Sequence, residues 1–338
     1  MDSLNVYQSI LDFPKQCQQV LSEISDSSLP LECNLVKNIV VSGMGGSALG
    51  GRVIQYLERD VLKVPIVIST ESQLPNFVNK DSLVIASSYS GNTQETISSL
   101  KDAINRQAKI YAICTGGELA QISKEANIPG YIFEPKFNPS TEPRMGLGYN
   151  IMSIIGILNR CSLIKTVENL DTLPNYLEEK HSLIKNYESL AQQIAGKIPI
   201  FIASEHLKGA LHCIKNQFNE TAKNFSAYFD LPELNHHLFE GLAYPPSNPD
   251  NLIFILVNSK YYHPEVAKRY PVTSEIIQKQ HFISQEIQLD GPSPLFEVME
   301  LIQMGSFCAY YLSQLNQVDP GVIPWVDYFK KAFSSPSG

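Results

Sequence analysis

Charge is scarce in this chain. Asp, Glu, Lys and Arg together make up 18% of its 338 residues. Basic residues number 26 against 34 acidic ones, for a net charge of −8. A nucleic-acid binder needs clustered Lys and Arg, so that class is set aside. No apolar run approaches the roughly 18 residues that cross a bilayer, so no membrane partner is expected. The opening MDSLNVYQSILDFPKQ lacks the charged-then-apolar order of a signal peptide. No C-x-x-C, H-x-H or H-E-x-x-H occurs to suggest zinc, and no metal is expected. The six cysteines, Cys17, Cys33, Cys114, Cys161, Cys213 and Cys308, are scattered. They read as reduced thiols of a cytoplasmic protein. Hydrophobic residues make up 43%, which excludes disorder and supplies cores for about two domains.

What is present alternates. "KNIVVSG" (37–43), "VPIVIST" (64–70), "SLVIASS" (82–88), "AKIYAICT" (108–115) and "GYIFEP" (130–135) read as strands. The stretches between them carry helical spacing, as with Ile97, Leu100 and Ile104. A long apolar helix is predicted over 146–165, then charged helix over 167–196. The strand pattern restarts at "KIPIFIAS" (197–204), continues through "SAYFD", "NLIFILVN" and "KQHFISQEIQL", and ends with a helix over 294–316. Strands alternating with helices predict an α/β fold with parallel sheets covered on both faces. The expected division is 1–165 and 166–338.

Ligands of such sheets bind beyond the carboxyl ends of the strands. Two glycine loops fall there, "SGMGGSALGG" and "SSYSGNTQET". Each opens a helix, whose free N–H groups attract anions. Gly43, Gly45 and Ala48 fit the dinucleotide spacing G-x-G-x-x-A, and Glu71 could hold a ribose. That leaves an NAD-dependent oxidoreductase as one reading. The second loop favours another. Ser88, Ser90 and Thr93 place three hydroxyls around one turn, suited to a phosphomonoester. A bland reading of the same loop is helix capping, with Asn92 or Ser90 at the N-cap and Glu95 completing a capping box.

Further candidates lie in polar stretches. Arg144, in "STEPRMGLGYN", is either a surface cation or a fixed guanidinium beside a developing oxyanion. Glu220 sits on a predicted helix with Lys223 at i+3, which alone could be an exposed ion pair. His236 and His237 are adjacent, and on extended backbone they would point opposite ways and share no metal.

Five motifs in order carry a resemblance: GMGGS, SYSGNT, the PR-x-x-LGY segment, N-E-x-AK and ELNH. Together they resemble the bifunctional phosphoglucose/phosphomannose isomerases, from about residue 40 to the C-terminal lysines. The resemblance implies two SIS-type α/β/α domains with parallel central sheets. It also implies a homodimer with a shared active site, a hexose 6-phosphate substrate and no cofactor. The implied reaction is aldose–ketose isomerisation through a cis-enediol(ate). By similarity, Glu220 is the base and Arg144 stabilises the enediolate. His236 assists ring opening across the dimer, and Lys330, or its neighbour Lys331, also takes part. Gly45, Gly46, Ser47, Ser88, Ser90 and Thr93 hold the phosphate. A non-catalytic SIS-type sugar-phosphate sensor is the alternative. Two departures stand out. Gly321 occupies a place where family tails read threonine, which bears on mannose 6-phosphate, and His237–Leu238 replace the Asn-Glu that usually follows ELNH.

Overall fold

Nine strands, among the described residues, build two separate parallel sheets. The structure is a computed structural model and describes residues 1–165 and 169–334. The first sheet contains β1 (Asn38–Ser42), β2 (Ile66–Ser69), β3 (Ser82–Ser87), β4 (Lys109–Cys114) and β5 (Gly130–Ile132). Their spatial order is β2-β1-β3-β4-β5. The second contains β6 (Ile198–Ala203), β7 (Ala227–Asp230), β8 (Leu252–Ser259) and β9 (Ile283–Leu289), in the order β7-β6-β8-β9. Every pairing is parallel, as the apolar β-branched runs predict.

In both sheets the chain reverses direction of travel beside its first strand, so the crevice lies between β1 and β3, and between β6 and β8. Val40 pairs with Val67 on one side and Val84 on the other, which fixes the register there. One face of the first sheet closes over a small cluster of Val40, Val84, Leu100 and Ala112. The other face joins a continuous core that runs through Val53, Ile154, Leu207 and Ile214 to the second sheet. The helix Pro294–Leu315 lies in that core and is buried nearly all round, its apolar residues broken by buried Glu297, Glu300 and Gln303.

Several expectations need correction. The predicted charged helix over 167–196 is broken. Residues 166–168 lie outside the described residues, and the rest forms helices Leu173–Glu179 and Ile184–Ile194 with 3-10 turns at Leu170–Thr172 and Lys180–Leu183. The cysteines are not all reduced. Cys33 and Cys161 form a disulfide, with Cα atoms 5.4 Å apart, because the turn before β1 folds against the end of the helix Leu147–Arg160. Cys17, Cys114, Cys213 and Cys308 are buried free thiols.

Candidate functional site

The two glycine loops meet at the crevice between β1 and β3, where the topology places a ligand. Gly45 and Gly46 lead into the helix Gly46–Leu57, and the second loop leads into the helix Gln94–Asn105. Ser47 is buried, and its Oγ accepts a hydrogen bond from the Tyr89 amide at 2.9 Å, stitching one loop to the other. Ser88 and Thr93 share a hydroxyl–hydroxyl bond of 2.9 Å, while Ser90 is exposed and its Oγ accepts from the Asn92 amide. The expected capping box is absent. Thr93 is the N-cap, and it makes no side-chain cap bond. Asn92 instead accepts from the Glu118 amide at 3.1 Å, bracing the loop against the next helix. The Thr93 hydroxyl is therefore turned to Ser88 rather than to the helix end.

A third segment closes on these loops. Residues Pro143–Met145 form a 3-10 turn just before the helix Leu147–Arg160. Gly46 tolerates this only because it has no side chain: a Cβ there would lie 2.9 Å from the Pro143 carbonyl oxygen and 3.0 Å from the Arg144 amide nitrogen. Arg144 is thus fixed beside the first loop. Its side chain is not a surface group, since it is only 3% exposed. Nη1 pairs with Glu142, and Nη2 donates to the carbonyls of Pro320 (2.9 Å) and Gly321 (2.6 Å). Nε has no hydrogen-bond partner among the described residues.

Glu220 comes to the same place from the second sheet. It is the last residue of the helix Lys208–Glu220, and its Oε2 lies 3.9 Å from Arg144 Nη1. Burial pushes its carboxyl above the ordinary value. Arg144 opposes that push, Glu142 adds to it, and Lys330 and Lys215 oppose it. Lys330, on the helix Pro324–Ser334, is therefore within electrostatic reach of Glu220. Lys223 does not form the helical ion pair its spacing offered. The helix has ended, Lys223 takes a left-handed φ of 50°, and its ammonium bonds the Asp319 carbonyl.

His236 is exposed on a 3-10 turn, Glu233–His236, rather than on extended backbone. Among the described residues no hydrogen bond or ion pair joins it to the Arg144–Glu220 cluster. The turn itself is anchored: Asn235 donates to Thr273 at 2.9 Å and accepts from Arg269 at 3.3 Å. Glu142 and the 319–321 carbonyls lie outside the motifs that mark the site in the sequence, whereas Tyr89, inside SYSGNT, takes part through its backbone amide. Glu142 had one local signal, an acid two residues before Arg144. The carbonyls had none, being backbone atoms far along the chain.

Two hydroxyl-bearing loops, a buried guanidinium and a carboxylate of raised pKa converge on one crevice. Such a set can bind a phosphorylated ligand and move a proton beside a fixed cation. Comparison with known proteins agrees. Residues 35–136 match the SIS domain, and residues 185–333 match the bacterial phospho-glucose isomerase C-terminal SIS domain. The C-terminal domain of glucosamine-fructose-6-phosphate aminotransferase from Francisella tularensis shares the fold, with a TM-score of 0.74 at 13% identity over 93% of this chain and 97% of that one. A bifunctional phosphoglucose/phosphomannose isomerase of Caldicellulosiruptor bescii is 29% identical over 96% of this chain and 98% of its own length. That of Thermoplasma acidophilum is 31% identical over 88% and 90%. With likeness at this level over some nine-tenths of both chains, the chain belongs to the bifunctional phosphoglucose/phosphomannose isomerase family.

Proposed function

We propose that the protein interconverts glucose 6-phosphate, and mannose 6-phosphate, with fructose 6-phosphate, and that Glu220 is the base. The observation that carries this reading is the placement of the half-buried Glu220 carboxylate 3.9 Å from the buried Arg144, beside the two hydroxyl loops. The 6-phosphate sits against Gly45, Gly46, Ser47, Ser88, Ser90 and Thr93. Glu220 takes the proton from C2 of the open-chain aldose and returns it to C1. The intermediate is a cis-enediol(ate), whose developing charge faces the Arg144 guanidinium, a cation that does not deprotonate. Glucose and mannose differ only at C2, and that stereocentre is lost in the intermediate, so one base can serve both.

The domain 1–165 supplies the phosphate loops and Arg144, and the domain 166–338 supplies Glu220 and Lys330. Ring opening falls to Lys330 and to His236 of the partner subunit in a homodimer. The exposed aromatic side chains on the helix Pro324–Ser334, including Trp325 at 81% and Tyr328 at 68% exposure, support an interface there. Side chains supply every proton-transfer role, so activity is expected to survive EDTA. A hexose phosphate is a dianion that does not cross a bilayer, which makes the cytoplasm the proposed compartment.

The test is a coupled assay on both hexose 6-phosphates with EDTA present. Glu220→Gln is expected to abolish turnover while the thermal melt keeps its cooperativity. Near-normal turnover in that variant would overturn the assignment of the base.

A further inference from the structure

Asp319, Pro320 and Gly321 form a short strap between the buried helix Pro294–Leu315 and the helix Pro324–Ser334 that carries Lys330. All three of its carbonyl groups are taken by cations. Arg144 holds those of Pro320 and Gly321, and Lys223 holds that of Asp319. The Asp319 carboxylate accepts from the Gly321 amide at 2.8 Å and from the Ser3 amide at 3.1 Å, so the turn is braced from within as well. Lys223 reaches the strap from an unusual backbone. It follows the helix Lys208–Glu220 at a left-handed φ of 50°, a conformation that glycine adopts at less cost. The Asn224 amide closes that helix end on the Phe218 carbonyl at 3.1 Å. A lysine here spends conformational energy, and what it gains is the bond to Asp319.

We propose that Lys223 is a positioning residue: together with Arg144 it locks the 319–321 strap, and so sets Lys330 against Glu220. The inference rests on the isomerase reading of that site, but the lock itself can be measured without turnover. Four charged groups face Lys223: Arg144 and Glu142 on the 3-10 turn segment, Glu220 at the helix end, and Asp319 on the strap. Desolvation and then Arg144 lower its ammonium to a pKa of about 8, while the three acids raise it. Above that pH the amine is neutral and no longer makes a charge-assisted bond to the carbonyl. The lock is therefore full at neutral pH and weakens in mild base.

The single tryptophan, Trp325, lies four residues beyond the strap and reports its order. In the wild-type chain, Trp325 anisotropy should drop as pH rises through about 8. Lys223→Arg, whose guanidinium does not titrate there, should keep neutral-pH activity and lose that step, in anisotropy and in the basic limb of kcat/KM alike. Lys223→Met should lower kcat about 10- to 100-fold, as a small misplacement does, with KM changed less. Two results would overturn the proposal. One is a Lys223→Met protein within twofold of wild type. The other is a Lys223→Arg protein that keeps the anisotropy step, which decides the matter if the methionine variant does not fold. A wild-type chain that shows the step but no isomerisation would instead sink the isomerase reading and leave the lock standing.

Discussion

Arg144 and Glu220 stand 3.9 Å apart, yet the closer carboxylate to Arg144 is Glu142. The guanidinium is thus neutralised from one side and pinned by two carbonyls from another, leaving Glu220 as a second-nearest acid that stays able to take up a proton. A lysine cannot reproduce this, because it lacks the planar fork that meets Glu142 and both carbonyls together. Arg144→Lys is expected to lower kcat/KM by about 10²- to 10³-fold, the range for losing a fixed oxyanion donor. It should also lower the Tm, since the Pro320 and Gly321 carbonyls lose a buried donor. A variant with unchanged kcat/KM would show that the guanidinium only holds the strap.

The raised pKa of Glu220 sets the acid side of the pH profile. A base acts only when ionised, so kcat/KM should fall as pH drops through a value above the ordinary glutamate range. Glu142 contributes to that rise by charge repulsion. Glu142→Gln should therefore move the acid limb to lower pH, while kcat falls because Arg144 loses its ion-pair partner. For stability the sign is opposite. A carboxyl whose folded pKa is raised destabilises the folded state when ionised, at pH above that value. Glu220→Gln is accordingly expected to hold or raise the Tm at neutral pH, read by calorimetry at several pH values.

Hydroxyl deletions should act on binding more than on turnover. Ser47 joins the two loops through the Tyr89 amide, and Ser88 joins Thr93. Ser47→Ala removes both a phosphate donor and the cross-loop bond. The KM for the sugar phosphate should rise about 10-fold, the size of one lost hydrogen bond to a charged group. Inhibition by inorganic phosphate should weaken in step. A KM that rises while phosphate inhibition stays fixed would place the 6-phosphate elsewhere.

The disulfide gives a prediction separate from the chemistry. Cys33 and Cys161 are 128 residues apart and lie by the amino end of β1, away from the carboxyl ends where the site sits. A disulfide typically stabilises a fold by about 2–4 kcal/mol, and the chain-entropy cost of a loop this long puts the upper end at about 5 kcal/mol. Denatured protein without reductant should titrate as four thiols, matching Cys17, Cys114, Cys213 and Cys308. Cys161→Ser should lower the Tm and leave kcat/KM within about twofold, as expected of a change remote from the site. Six titratable thiols would show that the pair stays reduced.

The parts of this molecule that sequence made legible are those written in local pattern. Val40, Val84 and Ile202 sit in short β-branched or apolar runs that alternate with helical spacing, the pattern of buried parallel strands, and the loops after β1 and β3 follow from that order. What stayed hidden depends on pairs far apart in the chain. Arg144 meets Pro320 across 176 residues, and Lys223 meets Asp319 across 96. Their acceptors are backbone carbonyls, which every residue carries, so no residue type marks them. The two bonded cysteines likewise show no spacing signal. The Ser88, Ser90 and Thr93 hydroxyls were legible as a group, but the expected cap by Asn92 or Ser90 is not formed: the helix starts after Thr93, and Asn92 turns instead to a neighbouring helix.

Gly321 stands where the resemblance leads to an expectation of threonine, and its surroundings leave no room for a side chain. A Cβ at that position would lie 2.8 Å from Leu4 Cβ and Cγ. The N-terminal segment occupies the space a side chain would use, with the Ser3 amide bonded to Asp319 beside it. Gly321→Ala should therefore destabilise the fold by about 1–3 kcal/mol through overpacking. It should also lower kcat, because the Gly321 carbonyl is one of the two that hold Arg144. Leu4→Gly frees the space, so the double variant should recover more stability than the sum of the two single changes predicts. That non-additivity is the quantity to measure, by denaturant melts of all four proteins in one cycle. Strict additivity would mean that Leu4 moves aside without cost. With the space open, Gly321→Thr can be assayed on both epimers. A changed ratio of mannose 6-phosphate to glucose 6-phosphate turnover would then locate an epimer-sensing position on the strap that Arg144 and Lys223 hold.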